Sequence, residues 1–231
     1  MKLDNRLKCI AGFVAHGASI ADIGTDHAYL SVFLMREGIA VSAVAADIAD
    51  GPLQAASATI TKAGFDSIIK IKKGNGLMAL SEGDADTVII AGMGAGTIKQ
   101  ILIEGSQALT GVSRLILQPM GDAALLRGFL YKNGWQITKE ALVEESGRIY
   151  QIIAAQKAKE NLIVPDDFSL VAGELILQEK SLLLAKHLEN IIAKYKLICA
   201  NMQKSAEAMQ KPEYKKYLNI IEKAEEFLKC L

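Results

Sequence analysis

The chain has 231 residues, about half of them apolar, with 26 basic and 26 acidic side chains and a formal net charge of zero. That length accommodates one sizeable α/β domain and a smaller appendage, and the neutral balance excludes a globally basic nucleic-acid binder, so any such contact must rest on a local patch. No apolar run reaches the ~18 residues of a membrane span, and residues 1–8 are charged where a signal peptide needs an apolar core. Cys9, Cys199 and Cys230 are far apart and form no Cys-x-x-Cys, which argues against a zinc site or a disulfide framework and for a cytoplasmic setting.

Leu3, Leu7, Ile10 and Val14 share one face of an amphipathic helix over residues 3–16. A regular alternation follows. Apolar strands are expected at 19–23, 42–48, 68–71, 87–91 and 114–118, with helices at 28–37, 52–63, 96–104 and 121–133 between and after them. Continuous apolar strands alternating with helices imply a parallel sheet covered on both faces. Two further strands, 135–143 and 148–156, are separated only by Glu144 to Gly147, too little for a helix, and must pair as an antiparallel hairpin. Five βα units closed by such a hairpin predict an α/β fold of class I (Rossmann-like) methyltransferase type, with a seven-stranded sheet. After residue 160 the composition changes, dividing the chain into 1–160 and a helical unit, 161–231. Leu177, Leu184, Leu188, Ile191, Tyr195, Ile198 and Met202 sit at seven-, four- and three-residue steps, predicting one long helix from about 171 to 209 that Lys211-Pro212 stops. Tyr214, Tyr217, Ile221, Ala224, Leu228 and Leu231 repeat the spacing. The two would form an antiparallel coiled-coil hairpin, its first arm about 55 Å long at 1.5 Å per residue. Its outward lysines (Lys186, Lys194, Lys196, Lys204, Lys215, Lys216) alternate with acids, so a solvated face and an RNA-contacting one both remain open.

The richest segment is Asp22-Ile-Gly-Thr-Asp-His-Ala-Tyr29. A strand emptying through Gly24 into a helix is a nucleotide-binding corner, yet Asp22 and Asp26 would repel a pyrophosphate and suit a cationic ligand such as a sulfonium. Asp47, at the end of the second strand, stands where an acid accepts hydrogen bonds from ribose hydroxyls, or else caps the following helix. Asn75, in Gly74-Asn75-Gly76, can both donate to and accept from an adenine edge, although Asn-Gly is also simply a good turn. Gly92, Met93 and Gly94 end the fourth strand, where backbone can approach a flat ligand closely. No Asn-Pro-Pro-Tyr or Asp-Pro-Pro-Tyr clamp for an exocyclic amine is present, which favours a ring nitrogen as methyl acceptor. His16 and His187 read as surface or packing residues, and no His/Cys/Asp cluster has metal-ligand spacing.

Together with Asp47-Ile-Ala-Asp-Gly-Pro52, Gly74-Asn-Gly-Leu77, Ala91-Gly-Met-Gly94, Leu117-Gln-Pro119 and Glu144-Glu-Ser-Gly-Arg-Ile-Tyr150, that segment resembles the bacterial TrmK family of tRNA (adenine-22, N1)-methyltransferases. The resemblance spans the catalytic domain, and the helical hairpin is similar to the family's C-terminal appendage. It departs from the family pattern at Asn75 (usually Asp), at Met120 (usually Asn) and at Gly96, where a glycine directly after Gly94 is displaced. The resemblance implies S-adenosyl-L-methionine as cofactor and tRNA as partner, with no membrane and no metal involved. It also implies Asp26 as the catalytic acid residue, Gly24, His27, Asp47, Ile48, Asn75 and Met93 around the cofactor, and Arg6 and Tyr29 on the acceptor side; Asp22, Gly76 and Gly92 join the cofactor group as residues of the same turns. Asp26 could alternatively cap the helix that follows it. Competing functions are a methyltransferase for another RNA nucleotide or a small molecule, and a non-catalytic binding protein on this fold.

Overall fold

The structure, a computed structural model, describes residues 3–231; Met1 and Lys2, part of the charged N-terminal stretch, lie outside the described residues. Helix α1 (Asn5–Ala11) starts at Asp4, whose Oδ1 accepts a hydrogen bond from Leu7 N at 2.6 Å. It is shorter than the predicted 3–16, because the chain leaves the helix at Gly12 and buries Phe13 and Val14 in the core. Then follow β1 (Ala18–Ile23), α2 (Tyr29–Arg36), β2 (Ala40–Asp47), α3 (Asp50–Ala63), β3 (Ile69–Lys73), β4 (Thr87–Met93), α4 (Ala95–Glu104), β5 (Arg114–Pro119), α5 (Ala123–Lys132), β6 (Trp135–Glu145) and β7 (Arg148–Lys157).

The strands form one seven-stranded sheet in the order β3-β2-β1-β4-β5-β7-β6. β1 to β5 are parallel; β7 runs antiparallel between β5 and β6, so the predicted hairpin is present, turned at Ser146 and Gly147 with φ of 51° and 78°. Alternate residues of each strand feed opposite cores. Ile20, Ile89 and Ile116 pack with α1, α2 and α3, while Ile23, Ile90, Leu115 and Leu117 pack with α4 and α5. Both faces are apolar because both are covered, which is why the strands read as continuous hydrophobic runs. Strand order reverses between β1 and β4. The loops after β1, β2, β3 and β4 therefore open beside one another at the carboxyl edge, where such sheets place their ligands.

Beyond the sheet lie α6 (Asp167–Ala172), α7 (Glu174–Glu179), α8 (Leu184–Met202), α9 (Ala206–Gln210) and α10 (Pro212–Lys229). The single arm expected from 171 to 209 is thus four helices. Only α8 is long, 19 residues or about 28 Å at 1.5 Å per residue. Gly173 (φ 91°) breaks the chain after α6, Lys180 (φ 47°) ends α7, and Ser205 restarts it by accepting a hydrogen bond from Ala208 N. Pro212 opens α10 rather than stopping its predecessor, as its missing N–H and fixed φ favour. α8 and α10 do pack antiparallel: Tyr195 meets Tyr217 at 5.1 Å between ring centroids, and Gln203 Nε2 donates to Tyr214 Oη at 2.9 Å.

One buried cluster joins the helices to the sheet. Arg127 of α5 and Glu140 of β6 are each 1% exposed and pair Nε to Oε1 at 2.6 Å. Arg127 also donates to the carbonyls of Leu170 and Val171, at 2.8 and 3.3 Å, and to Gln151 Oε1 at 2.7 Å. The last carbonyls of α6 are satisfied by a guanidinium from another element. Glycine is required at 173, since a Cβ there would lie 2.6 Å from Arg127 Nη2.

Candidate active site

The loop after β1 is held from both ends. Gly24 N and Thr25 N both donate to Ala46 O, at 2.8 and 3.1 Å. Thr25 Oγ1 donates to Asp22 Oδ2 at 2.8 Å and accepts from Ala28 N at 3.1 Å, while Ala28 adopts a left-handed φ of 53°. This relay leaves Asp26 projecting: its side chain is 82% exposed and caps nothing, with His27 Nε2 at 3.6 Å. His27 stacks on Tyr29 with centroids 5.0 Å apart and planes 11° from parallel. Asp22 is buried, and burial pushes its carboxyl up to about 6; the hydroxyls of Thr25 and Ser31 pull it partly back, and the charge of Asp47 raises it further.

Two cavities meet at this loop. One, of about 320 Å³, is lined by Gly24, Asp47, Ile48, Asn75, Gly76 and Met93, among others. The second, of about 400 Å³, is lined by Arg6, Asp22, Asp26, His27, Tyr29 and Gly92 together with their neighbours. Gly24 alone lines both. Its φ of 77° favours glycine, and a Cβ there would fall 2.0 Å from Met93 Cε, so a side chain at 24 would also have to push the end of Met93 aside. Asp47 Oδ1 accepts from Ala49 N at 2.8 Å, and its side chain does not cap α3. Ile48 exposes 64% of its surface beside it, an apolar plate next to the polar Asn75.

Three comparisons bear on this geometry. The family model described as "TrmK: tRNA (adenine(22)-N(1))-methyltransferase" matches residues 20–226. The chain belongs to the TrmK family. The tRNA (adenine(22)-N(1))-methyltransferase of Bacillus subtilis is 39% identical over 176 residues, covering 76% of this chain and 74% of that one. The crystal structure of the B. subtilis M1A22 tRNA methyltransferase TrmK superposes with a TM-score of 0.84 at 32% identity, over 99% of this chain and 97% of the other. A Streptococcus pneumoniae protein, described as a candidate tRNA (m1A22) methyltransferase and solved in complex with S-adenosyl-L-methionine, matches with a TM-score of 0.81 at 31% identity, over 98% and 100%.

Within this TrmK-family fold the site residues expected from sequence divide in two. Gly24, Asp47, Ile48, Asn75, Gly76 and Met93 surround the smaller cavity; Asp22, His27 and Gly92, grouped by sequence with the cofactor, instead line the cleft that holds Asp26, Arg6 and Tyr29. Sequence reasoning missed Thr97, Gln100 and Glu104, which form one wall of the smaller cavity. Their spacing of three and four puts them on a single face of α4 just past Gly94, and that polar stripe was available as a signal. It missed Thr25 and Gln118 as well. Gln118 is fully buried, and its Oε1 accepts from Arg6 Nη1 at 2.8 Å and from Gly92 N at 3.1 Å. Among the described residues no cluster of metal-binding side chains occurs, and no helix is long and apolar enough to cross a membrane.

Of the outward lysines, Lys186, Lys196 and Lys216 are paired with Glu144, Glu225 and Asp167, each at 2.6 Å. Lys194 lies 5.4 Å from the Tyr195 ring centroid, and Lys204 donates to Asn201.

Proposed function

We propose that this chain methylates N1 of adenine 22 in tRNA, holding S-adenosyl-L-methionine in the smaller cavity and the target base in the cleft. The observation that carries the reading is Gly24, the one residue common to both cavities. The cavity's chemistry suits the cofactor: Asp47 offers its carboxylate to a ribose, Ile48 a flat apolar contact, Asn75 a donor and an acceptor for an adenine edge, and Gly24 a space that a Cβ would fill. When bound, S-adenosyl-L-methionine supplies a methyl group already activated on a sulfonium. The residues then have to align acceptor and donor and to shield the transfer from water.

Adenine N1 carries an in-plane lone pair and attacks without prior deprotonation, and the methylated base is cationic. Asp26, exposed in the cleft, is assigned the role of stabilising that growing charge and accepting a hydrogen bond from the exocyclic amine. The Thr25 relay to Asp22 and Ala28 holds the loop on either side of Asp26. N1 lies on the Watson–Crick edge, so the base must leave its pair to enter the cleft, where the His27–Tyr29 stack and Arg6 stand ready on the acceptor side. Residues 161–231 are proposed as a second, RNA-orienting domain, and the cytoplasm as the place where the enzyme meets its tRNA.

The test is to incubate unmodified tRNA with the protein and methyl-labelled cofactor, digest it, and identify the nucleoside by mass spectrometry and its position by primer extension. Labelled 1-methyladenosine at position 22 is the expected result. Label at another nucleotide, or only in small molecules of a cell extract, would replace the substrate; failure to bind the cofactor in calorimetry would favour the non-catalytic alternative.

A further inference from the structure

Arg6 enters the cleft from α1, yet its position is set by β5, 112 residues along the chain. Gln118 is fully buried, and its amide orientation is fixed by its partners. One end, Oε1, takes two donors, Arg6 Nη1 at 2.8 Å and Gly92 N at 3.1 Å; the other, Nε2, donates to Pro119 O at 2.9 Å. Only the amide as drawn satisfies all three. A single side chain thereby ties the cleft's guanidinium to the backbone turn at Gly92, whose φ of 77° brings the chain against Arg6.

The choice of a neutral partner matters. A carboxylate at 118 would make a buried ion pair and cancel the charge of Arg6; an amide holds the guanidinium in place and leaves its charge to act outward. Arg6 Nη2 also makes a loose, partly exposed ion pair with Asp4 Oδ2 at 3.7 Å, which an incoming phosphate would have to displace. Arg6 also sits 6.0 Å from the ring centroid of Tyr150. A cation so placed is badly suited to the methylated base, which is itself positive. It is well suited to the phosphodiester that must swing with the nucleotide when the base leaves its helix.

We propose that Gln118 is a positioning residue that presents Arg6 as the anchor for a tRNA phosphate beside the methylated nucleotide. The proposal rests on the cleft being the acceptor site. It makes the Arg6 contact electrostatic and independent of base identity, and it makes Gln118 act through Arg6 rather than on the substrate.

The experiment is a double-mutant cycle of Arg6→Ala and Gln118→Met in steady-state methyl transfer to tRNA, at several salt concentrations, with cofactor affinity measured separately by calorimetry. Each single variant is expected to raise KM for tRNA about ten-fold, more than it lowers kcat, as loss of a phosphate contact does. Both should lower the slope of log KM against log salt by about one counterion and leave cofactor affinity in place. The double variant should be no worse than Arg6→Ala alone. Losses that multiply, a slope that does not change, or an effect confined to kcat would overturn the role of Gln118. No effect of Arg6→Ala would instead remove Arg6 from the acceptor site, and with it the reading on which the proposal stands. Should Gln118→Met melt well below the parent protein, Gln118→Glu carries the same test. It keeps the size of the side chain and neutralises Arg6, so it should reproduce the reduced salt slope; an unreduced slope would again overturn the proposal.

Discussion

Replacing Asp22 with Asn should make the cofactor-free protein more stable while weakening its hold on the cofactor. Burial lifts the Asp22 carboxyl from an ordinary aspartate value near 3.8 to about 6. An acid whose folded value is raised resists ionisation in the folded state, so its stability cost is absent below the unfolded value and complete above the folded one. Two pH units at 1.36 kcal/mol each give a cost of about 3 kcal/mol at pH 7.5, shrinking to about 1 kcal/mol at pH 4.5. Asparagine keeps the shape and cannot ionise. Its carbonyl can accept from Thr25, and its amide can donate to the Ser31 hydroxyl beside it. In a chain of this size a gain of about 3 kcal/mol raises the melting temperature by roughly 6–12 °C. The measurement is the difference in melting temperature between variant and parent at pH 7.5 and at pH 4.5, without cofactor. The difference matters because His187 has the opposite sign and obscures the trend in the parent alone. Calorimetry should meanwhile show the variant binding S-adenosyl-L-methionine more weakly: Asp22 lines the neighbouring cleft, two residues from the Gly24 junction, and its negative charge no longer favours a cationic ligand there. A variant no more stable than the parent at pH 7.5, or a gain equal at both pH values, would refute the argument.

Asp26→Ala should lower kcat for tRNA methylation by about 10²–10³, the scale of one lost charge-stabilising group, while calorimetry shows cofactor affinity nearly intact. Gly24→Ala should weaken cofactor binding, since its Cβ pushes the flexible end of Met93 within the cofactor cavity, and its left-handed backbone should cost about 1–2 kcal/mol in denaturant melts. Burial holds the His187 imidazole down at about 4, with the Ala172 carbonyl opposing and the charge of Arg127 reinforcing. A depressed base contributes fully above its unfolded value of 6.5 and loses that contribution as pH falls toward 4, about 3 kcal/mol in all; His187→Gln should flatten acid denaturation over that window. Arg127→Met should cost about 3–5 kcal/mol by leaving Glu140 buried without its partner, and Arg127→Met with Glu140→Leu should recover part of it, as paired thermal melts would show.

The catalytic domain was readable because its signals are local. Strand, turn and helix at Ala18 to Arg36 follow from an apolar run, Gly24 and an amphipathic segment, and Asp22, Asp26 and Asp47 are placed by where those strands end. The helical region misled for a related reason: Leu177, Leu184 and Leu188 keep a helical phase across breaks that periodicity does not register. Lys180 takes a left-handed φ, and the turn at Gly173 is stabilised by Arg127, a residue of another element.

What the linear sequence determined by itself was therefore the element order of the sheet region, the closing hairpin, the TrmK resemblance and the residues around Gly24, since all of these depend on neighbours a few positions apart. Tertiary structure decided that Gly24 separates two cavities, that Asp22 and His27 face the second of them, that a face of α4 walls the first, and that Gln118 holds Arg6 across 112 residues. Those facts depend on which loops meet at the strand-order reversal and on hydrogen bonds between distant segments, and no spacing along the chain encodes them.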